Sequence, residues 1–195
     1  MIGASGTIGK KVTAALEKDN EIVRAGRSTS GDIQVDITSP SSIESLFKKA
    51  GPFDALICMA GDIHFGPLKE MTDADFRKGI DSKMMGQVNL VLIGQRYINP
   101  GGSFTLTSGS LADDPIPLGA NASAVNAALE GFTRSVALEL TGGVRINSVS
   151  PAMVEDSPGY FPFFPGYIPV SMERVVAAYL KSVLGARTGQ VFAVR

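Results

Sequence analysis

The chain is poor in the residues that carry metals and disulfides. It has one cysteine, Cys58, and one histidine, His64. A single cysteine closes no internal disulfide, and no Cys/His spacing resembles a zinc site, so no metal is expected. Neither sign of charge is in excess: 18 Lys and Arg stand against 19 Asp and Glu, a net charge near −1. No basic block points to nucleic acid and no acidic tail to disorder. No apolar run approaches a membrane span, and no signal-peptide pattern is seen. Nucleic acid and membrane are therefore set aside as partners, and a reducing cytoplasm is the expected compartment.

What is present is an ordinary globular composition. The 195 residues are 44 % apolar, enough for one domain, 1–195, with a real core. Patterning predicts helices over Thr7–Lys18, Ser41–Ala50, Thr72–Ile80, Met84–Tyr97, Ser123–Leu140 and Ser171–Leu184. Strands are predicted at Glu21–Ala25, Asp32–Ile37, Asp54–Met59, Ser103–Thr107, Val144–Val149 and Gln190–Val194. Strands separated by helices of this length imply a parallel sheet covered on both faces. The one long irregular stretch is Pro151–Val170, with four prolines after Pro151 and five aromatics. Such loops are usually functional.

The sequence "GASGTIG" places Gly3, Gly6 and Gly9 where a strand turns into a helix. Glycines there permit a tight turn and a close backbone approach to a pyrophosphate seated on the helix N-terminus. Ser5, Thr7 and Ile8 complete the expected cradle. Only Met1 and Ile2 precede the loop, so the first strand of such a sheet is largely missing from this sequence. The second strand ends in "AGRS". An acid usually stands there for the 2′-hydroxyl of NAD. Arg27 and Ser28 stand there instead and suit a 2′-phosphate, so NADP (NADPH) is expected over NAD.

The chain resembles the short-chain dehydrogenase/reductase family over nearly its whole length. "VDIT" (Val35–Thr38) resembles the family's adenine-contacting aspartate segment, which assigns Asp36 and Ile37. "CMAG" (Cys58–Gly61) stands where the family has Asn-Asn-Ala-Gly beside the ribose, which assigns Ala60 and Gly61. "FTLTSG" matches the strand that ends in the catalytic serine, here Ser108. "AALEGFTRSVALEL" matches the helix that follows the catalytic tyrosine and lysine. "VRINSVSPAMV" matches the segment flanking the nicotinamide, which assigns Pro151 and Val154, and "TGQVFAV" matches the closing strand. The resemblance implies a Rossmann-like doubly wound parallel sheet, three layers α/β/α, with strand order 3-2-1-4-5-6-7. It also implies a homodimer or homotetramer, paired through the helices at Met84–Tyr97 and Ser123–Leu140. Ala124, Ala127, Ala128 and Gly131 of the second would allow close approach.

The departures carry the functional question. In "NASAVNAALEGF" the family's Tyr-x-x-x-Lys pair is replaced by Ala122 and Asn126. The family's helix asparagine is replaced in turn by Lys83, in "DSKMMG". The exchange would keep one ammonium and one amide in one pocket, with Lys83 binding the ribose in place of the usual lysine. No residue replaces the tyrosine, and loss of a positioned acid costs about 10²–10⁴ in rate. Lys83 and His64 are the candidate proton donors, and Ser108 would bind the carbonyl. Tyr160 and Tyr167 are lid candidates, and Asp156 stands near the expected carboxamide site. The expected function is an NADP-dependent oxidoreductase acting on a small carbonyl/alcohol pair. The alternative is a non-catalytic NADP-binding sensor or scaffold.

Overall fold

The computed structural model describes residues 1–28 and 31–195. The glycine turn runs directly into α1 (Thr7–Leu16), which buries Val12 and Leu16 on one side. Two short strands follow, β1 (Ala25–Gly26) and β2 (Ile33–Gln34). Helix α2 (Pro40–Ala50) starts where Ser39 accepts the Ser42 N–H and Pro40 supplies a helical φ. Lys48 and Lys49 complement the dipole at its end. After β3 (Phe53–Ile57), α3 (Asp73–Gly79) opens on a capping box in which Thr72 and Asp75 satisfy each other's backbone N–H groups. The rest alternates strictly: α4 (Met85–Gly94), β4 (Ile98–Thr107), α5 (Ala120–Val136), β5 (Arg145–Pro151), α6 (Met172–Leu184) and β6 (Val191–Val194).

All strand pairs are parallel. One sheet runs β3-β4-β5-β6 and a second pairs β1 with β2. Ile2 joins them, bridging Ala25 on one side and Cys58 on the other. Counting Ile2 as the first strand's place, the order is the expected 3-2-1-4-5-6-7. Helices cover both faces, because strand side chains alternate. Leu56, Cys58, Phe104, Leu106 and Ile146 face α2, α4 and α5, meeting Phe47, Leu90 and Leu129. Ile57, Val149 and Val194 face the other way, onto Val12 of α1 and Val175 and Tyr179 of α6. The described helices include none long and apolar enough to cross a membrane.

Several element predictions are corrected. Glu21–Ala25 and Asp32–Ile37 narrow to two residues each, Ala25–Gly26 and Ile33–Gln34, with Ile2 bridging Ala25 and Cys58 beside them. The predicted break at 81–83 is instead a π-helix, Ile80–Met84, that carries α3 into α4. The wide turn sends Ser82 and Lys83 inward, as π-turns at functional sites do. Finally, α5 begins three residues earlier than predicted and the aromatic loop contains a 3₁₀ helix, Pro158–Phe163. The Val154–Val170 bridge closes that loop at its base.

Candidate active site

The glycine loop has the shape its composition requires. Gly3 has φ +81°, and a Cβ there would lie 3.1 Å from the Met59 carbonyl. A Cβ at Gly9 would lie 2.1 Å from Gly3 O, so α1 could not approach its own turn. Gly6 brings no side chain to cap α1. The first helical N–H groups are thus open to an anion, and Ser5, Gly6 and Thr7 are exposed around them, with Ile8 half-buried. Asp36 is exposed and accepts from Thr38 N–H (2.9 Å) and Thr38 Oγ1 (2.8 Å), both at Oδ1. These two bonds hold its carboxyl below the usual carboxylate range. Ile37 is buried, and Ala60 and Gly61 are half-buried at the end of β3. Pro151 closes β5, and Val154 is buried beyond it. These residues fit a dinucleotide: an uncapped helix start for the pyrophosphate, and an exposed carboxylate for an adenine amine.

Arg27 and Ser28 are exposed beyond β1, as the sequence predicts. The acid missing from the strand end is nevertheless close by. Asp62, which follows Gly61, holds the Arg27 guanidinium with both oxygens, at 2.9 and 3.1 Å. Sequence reading missed Asp62 because 35 residues separate the pair.

The second centre is the turn at Ser108 and Gly109. Its position is set by the end of β4. Gln87, fully buried on α4, donates to Thr107 O (3.0 Å) and accepts from Thr107 N–H (2.8 Å). Thr107 Oγ1 donates to Cys58 O at 2.6 Å and meets Tyr179 Oη at 2.7 Å. Three elements thus hold one residue, and the next one, Ser108, has little freedom. Lys83 Nζ donates to Ser108 O at 2.9 Å. The Asn126 amide lies against Gly109, where a Cβ would fall 3.0 Å from Nδ2. The structure therefore brings Lys83 and Asn126 to the same turn. Among the described residues, Asn126 Oδ1 is buried without a hydrogen-bond partner. A ribose hydroxyl would satisfy it.

Burial lowers the Lys83 ammonium from 10.5 to about 8. Burial raises the neighbouring Cys58 thiol to about 11, so it stays protonated and inert near neutral pH. The Ser108 hydroxyl has protein partners of its own. It donates to Glu130 Oε1 at 3.0 Å, and Glu130 is itself buried, with Arg134 at 3.4 Å from its other oxygen. An oxygen whose proton is committed to a carboxylate can accept but not also donate to a carbonyl. Glu130 is the second residue that sequence reading missed. The signal was available: Ala122, Asn126 and Glu130 follow at i, i+4 and i+8 on one helix face.

The tyrosine position offers no acid. Ala122 is fully buried in an apolar cluster with Leu111, Ile116, Met153 and Phe164, against which Ile63, Phe65 and Tyr167 pack. His64 is held between α5 and α3. Its backbone N–H donates to Asn121 Oδ1 (2.9 Å), and its ring faces Asp75 on α3 at 3.9 Å. Asn121 is buried and donates onward to Phe76 O at 2.6 Å, which latches this loop between two helices. Over the cluster lies the aromatic loop, with Phe65 stacked on Phe163 (6.3 Å) and near Tyr160 (6.4 Å). Tyr167 hydrogen-bonds the Asp114 carboxylate, which raises its phenol above the ordinary value and makes it a poorer acid. Asp156 is exposed.

Comparison with known proteins agrees with this fold. Residues 8–160 match a family described as Enoyl-(Acyl carrier protein) reductase. The chain is 32 % identical over 160 residues to the hydroxynaphthalene reductase arp2 of Aspergillus fumigatus, covering 78 % of this chain and 58 % of that protein. It thus spans less than two thirds of the length of this curated relative. A crystal structure of the protein lin1944 from Listeria innocua superposes with a TM-score of 0.97 at 45 % identity, covering 100 % of this chain and 97 % of that one. A small-chain dehydrogenase in complex with NADPH superposes with a TM-score of 0.86 at 29 % identity, covering 99 % and 94 %. With its parallel sheet, glycine turn and Ser108 strand end in the family's order, the chain belongs to the short-chain dehydrogenase/reductase family.

Proposed function

We propose that the chain is an NADP-dependent oxidoreductase acting on a small carbonyl/alcohol pair through a rearranged active site. One observation carries the reading: Lys83 Nζ binds the Ser108 carbonyl at the turn where Asn126 also lies. The chain reads as one nucleotide-binding domain, 1–195. Gly3, Ser5, Gly6, Thr7, Ile8 and Gly9 would hold the pyrophosphate, with Asp36, Ile37, Ala60 and Gly61 along the adenosine. Pro151 and Val154 would flank the nicotinamide, and Lys83 and Asn126 would meet its ribose. When bound, NADPH supplies the hydride that reduces a carbonyl carbon.

The protein must then manage one proton without a tyrosine. A lysine with a pKa of about 8 is mostly protonated at pH 7 yet gives up a proton without great cost. Its charge also stabilises oxygen charge developing beside the Ser108 turn. Ser108, its hydroxyl donating to Glu130, can accept a hydrogen bond from a substrate hydroxyl in the oxidative direction. The lid of Phe65, Tyr160 and Phe163 suits a flat apolar substrate, and the relative named hydroxynaphthalene reductase supports an aromatic carbonyl. The test is a panel of aromatic and aliphatic carbonyls with NADPH, following absorbance at the reduced nicotinamide band. Turnover that Lys83→Met abolishes supports the proposal. Turnover unchanged by Lys83→Met removes it.

One observation favours a second reading, a non-catalytic NADP-binding sensor or scaffold. Ala122 is sealed in an apolar cluster and Ser108 is committed to Glu130. NADPH binding without turnover on any carbonyl of the panel would establish this reading. Under either one, a cytoplasmic homodimer or homotetramer is proposed. Ala124, Ala127, Ala128 and Gly131 are exposed on α5, and Leu92 is 48 % exposed on α4.

A further inference from the structure

We infer that Asp62 sets the cofactor selectivity of this site by competing with a 2′-phosphate for Arg27. The inference rests on the nicotinamide-dinucleotide reading above. Arg27 follows β1 and Asp62 follows β3, so the pair spans the two loops that reading places around the adenosine ribose. The contact is two-pronged, Nη1 to Oδ2 at 2.9 Å and Nη2 to Oδ1 at 3.1 Å. Each partner is held at its backbone. Asp62 N–H donates to the buried Ser82 Oγ at 2.9 Å, and Arg27 O accepts from Gln34 Nε2 at 2.9 Å. The side chains are 72 % and 56 % exposed, so water screens the pair and a better ligand can open it. Beside Asp62 a cavity of about 570 Å³ leaves room, lined also by Thr38, Ser82 and Met85.

The two nucleotides ask different things of this pair. A 2′-phosphate offers Arg27 charge-assisted bonds, but only by taking it from Asp62. The freed carboxylate then stands close to a phosphate of its own sign, and that repulsion opposes binding. A 2′-hydroxyl needs no exchange. It can donate to Asp62 while Arg27 stays in place, which is the task usually done by an acid at the strand end. Here the acid comes from a different strand. Asp62 therefore holds the preference for NADPH below what Arg27 alone would produce, and makes NADH an acceptable ligand.

The test is titration calorimetry of NADPH and NADH into the wild type, Asp62→Asn and Arg27→Ala. Both residues are exposed, and thermal melts confirm that each variant is folded. Asp62→Asn should tighten NADPH about tenfold and leave NADH equal or weaker, so the ratio of the two affinities rises by about that factor. The gain should shrink at high salt, since both groups face solvent. Arg27→Ala should weaken NADPH alone. An unmoved ratio in Asp62→Asn overturns the inference while leaving the cofactor reading intact. So does weaker NADPH binding, which would make Asp62 a support for Arg27. A wild type that binds neither nucleotide overturns both.

Discussion

Lys83 places an ammonium against the Ser108 carbonyl. Its ammonium is lowered from 10.5 to about 8 by burial. Below pH 8 it is protonated in both the folded and unfolded chain, and folding carries the full desolvation cost. Between pH 8 and 10.5 the unfolded chain binds more protons than the folded one, so stability rises with pH. Urea unfolding of the wild type, compared with Lys83→Met, should show a relative gain of roughly 3 kcal/mol across that window. The comparison matters because Cys58, raised to about 11, pulls the other way in both proteins. A difference that stays flat with pH would mean that Lys83 is not buried in its charged form. Ala122 yields a second prediction. Its methyl group is fully buried in a cluster with Phe164 and Met153. Ala122→Tyr, the reversion to the family residue, should therefore overpack the cluster and cost about 1–3 kcal/mol in chemical denaturation. A tyrosine accepted without loss would show that the lid yields readily.

Among the elements, α5 does two jobs with two faces. Its inner stripe buries Ala122, Asn126 and Glu130, the last two beside the Ser108 turn. Its outer face carries the exposed Ala124, Ala127, Ala128 and Gly131, and nothing lies within 4 Å of a Cβ built at Gly131. Two such faces can approach closely across a two-fold axis. Gly131→Arg should therefore convert a dimer or tetramer to monomer in light scattering at micromolar concentration, with far-ultraviolet circular dichroism unchanged. A wild type that is already monomeric at that concentration ends the proposal. The π-helix at Ile80–Met84 is the other element of consequence. An ordinary helical turn would place Lys83 on a different azimuth. The wide turn aims it at Ser108.

On the scale of the whole molecule, cofactor and stability are coupled. A dinucleotide laid across the glycine turn, the β3 end and the Ser108 turn would touch loops that follow several different strands. At 100 times its dissociation constant a ligand specific for the folded state adds about 2.7 kcal/mol. For a chain of this size that corresponds to a rise of about 5–10 °C in Tm. Differential scanning with saturating NADPH should show it, and adenosine alone should show less. No shift with NADPH would remove the cofactor reading together with everything built on it.

Much of this molecule is legible from sequence because local signals and topology coincide. Glycine spacing, strand-helix alternation and Ser39-Pro40 at a helix start act over a few residues, and parallel strands joined by helices admit few arrangements. That reasoning reached the strand order and the helices α1, α2 and α6. It also brought Lys83 and Asn126 to one turn, since their places follow from the resemblance. It could not reach the partners of those residues. Asp62 meets Arg27, Glu130 meets Ser108, and Gln87 meets Thr107 only because the sheet lays the ends of separate strands and helices side by side. The partners of His64 are equally long-range: Asn121, 57 residues away, fixes the loop that carries it. Charge and hydrogen bonding act through space, over a few ångströms, so sequence shows which groups exist while tertiary structure alone decides which of them face each other.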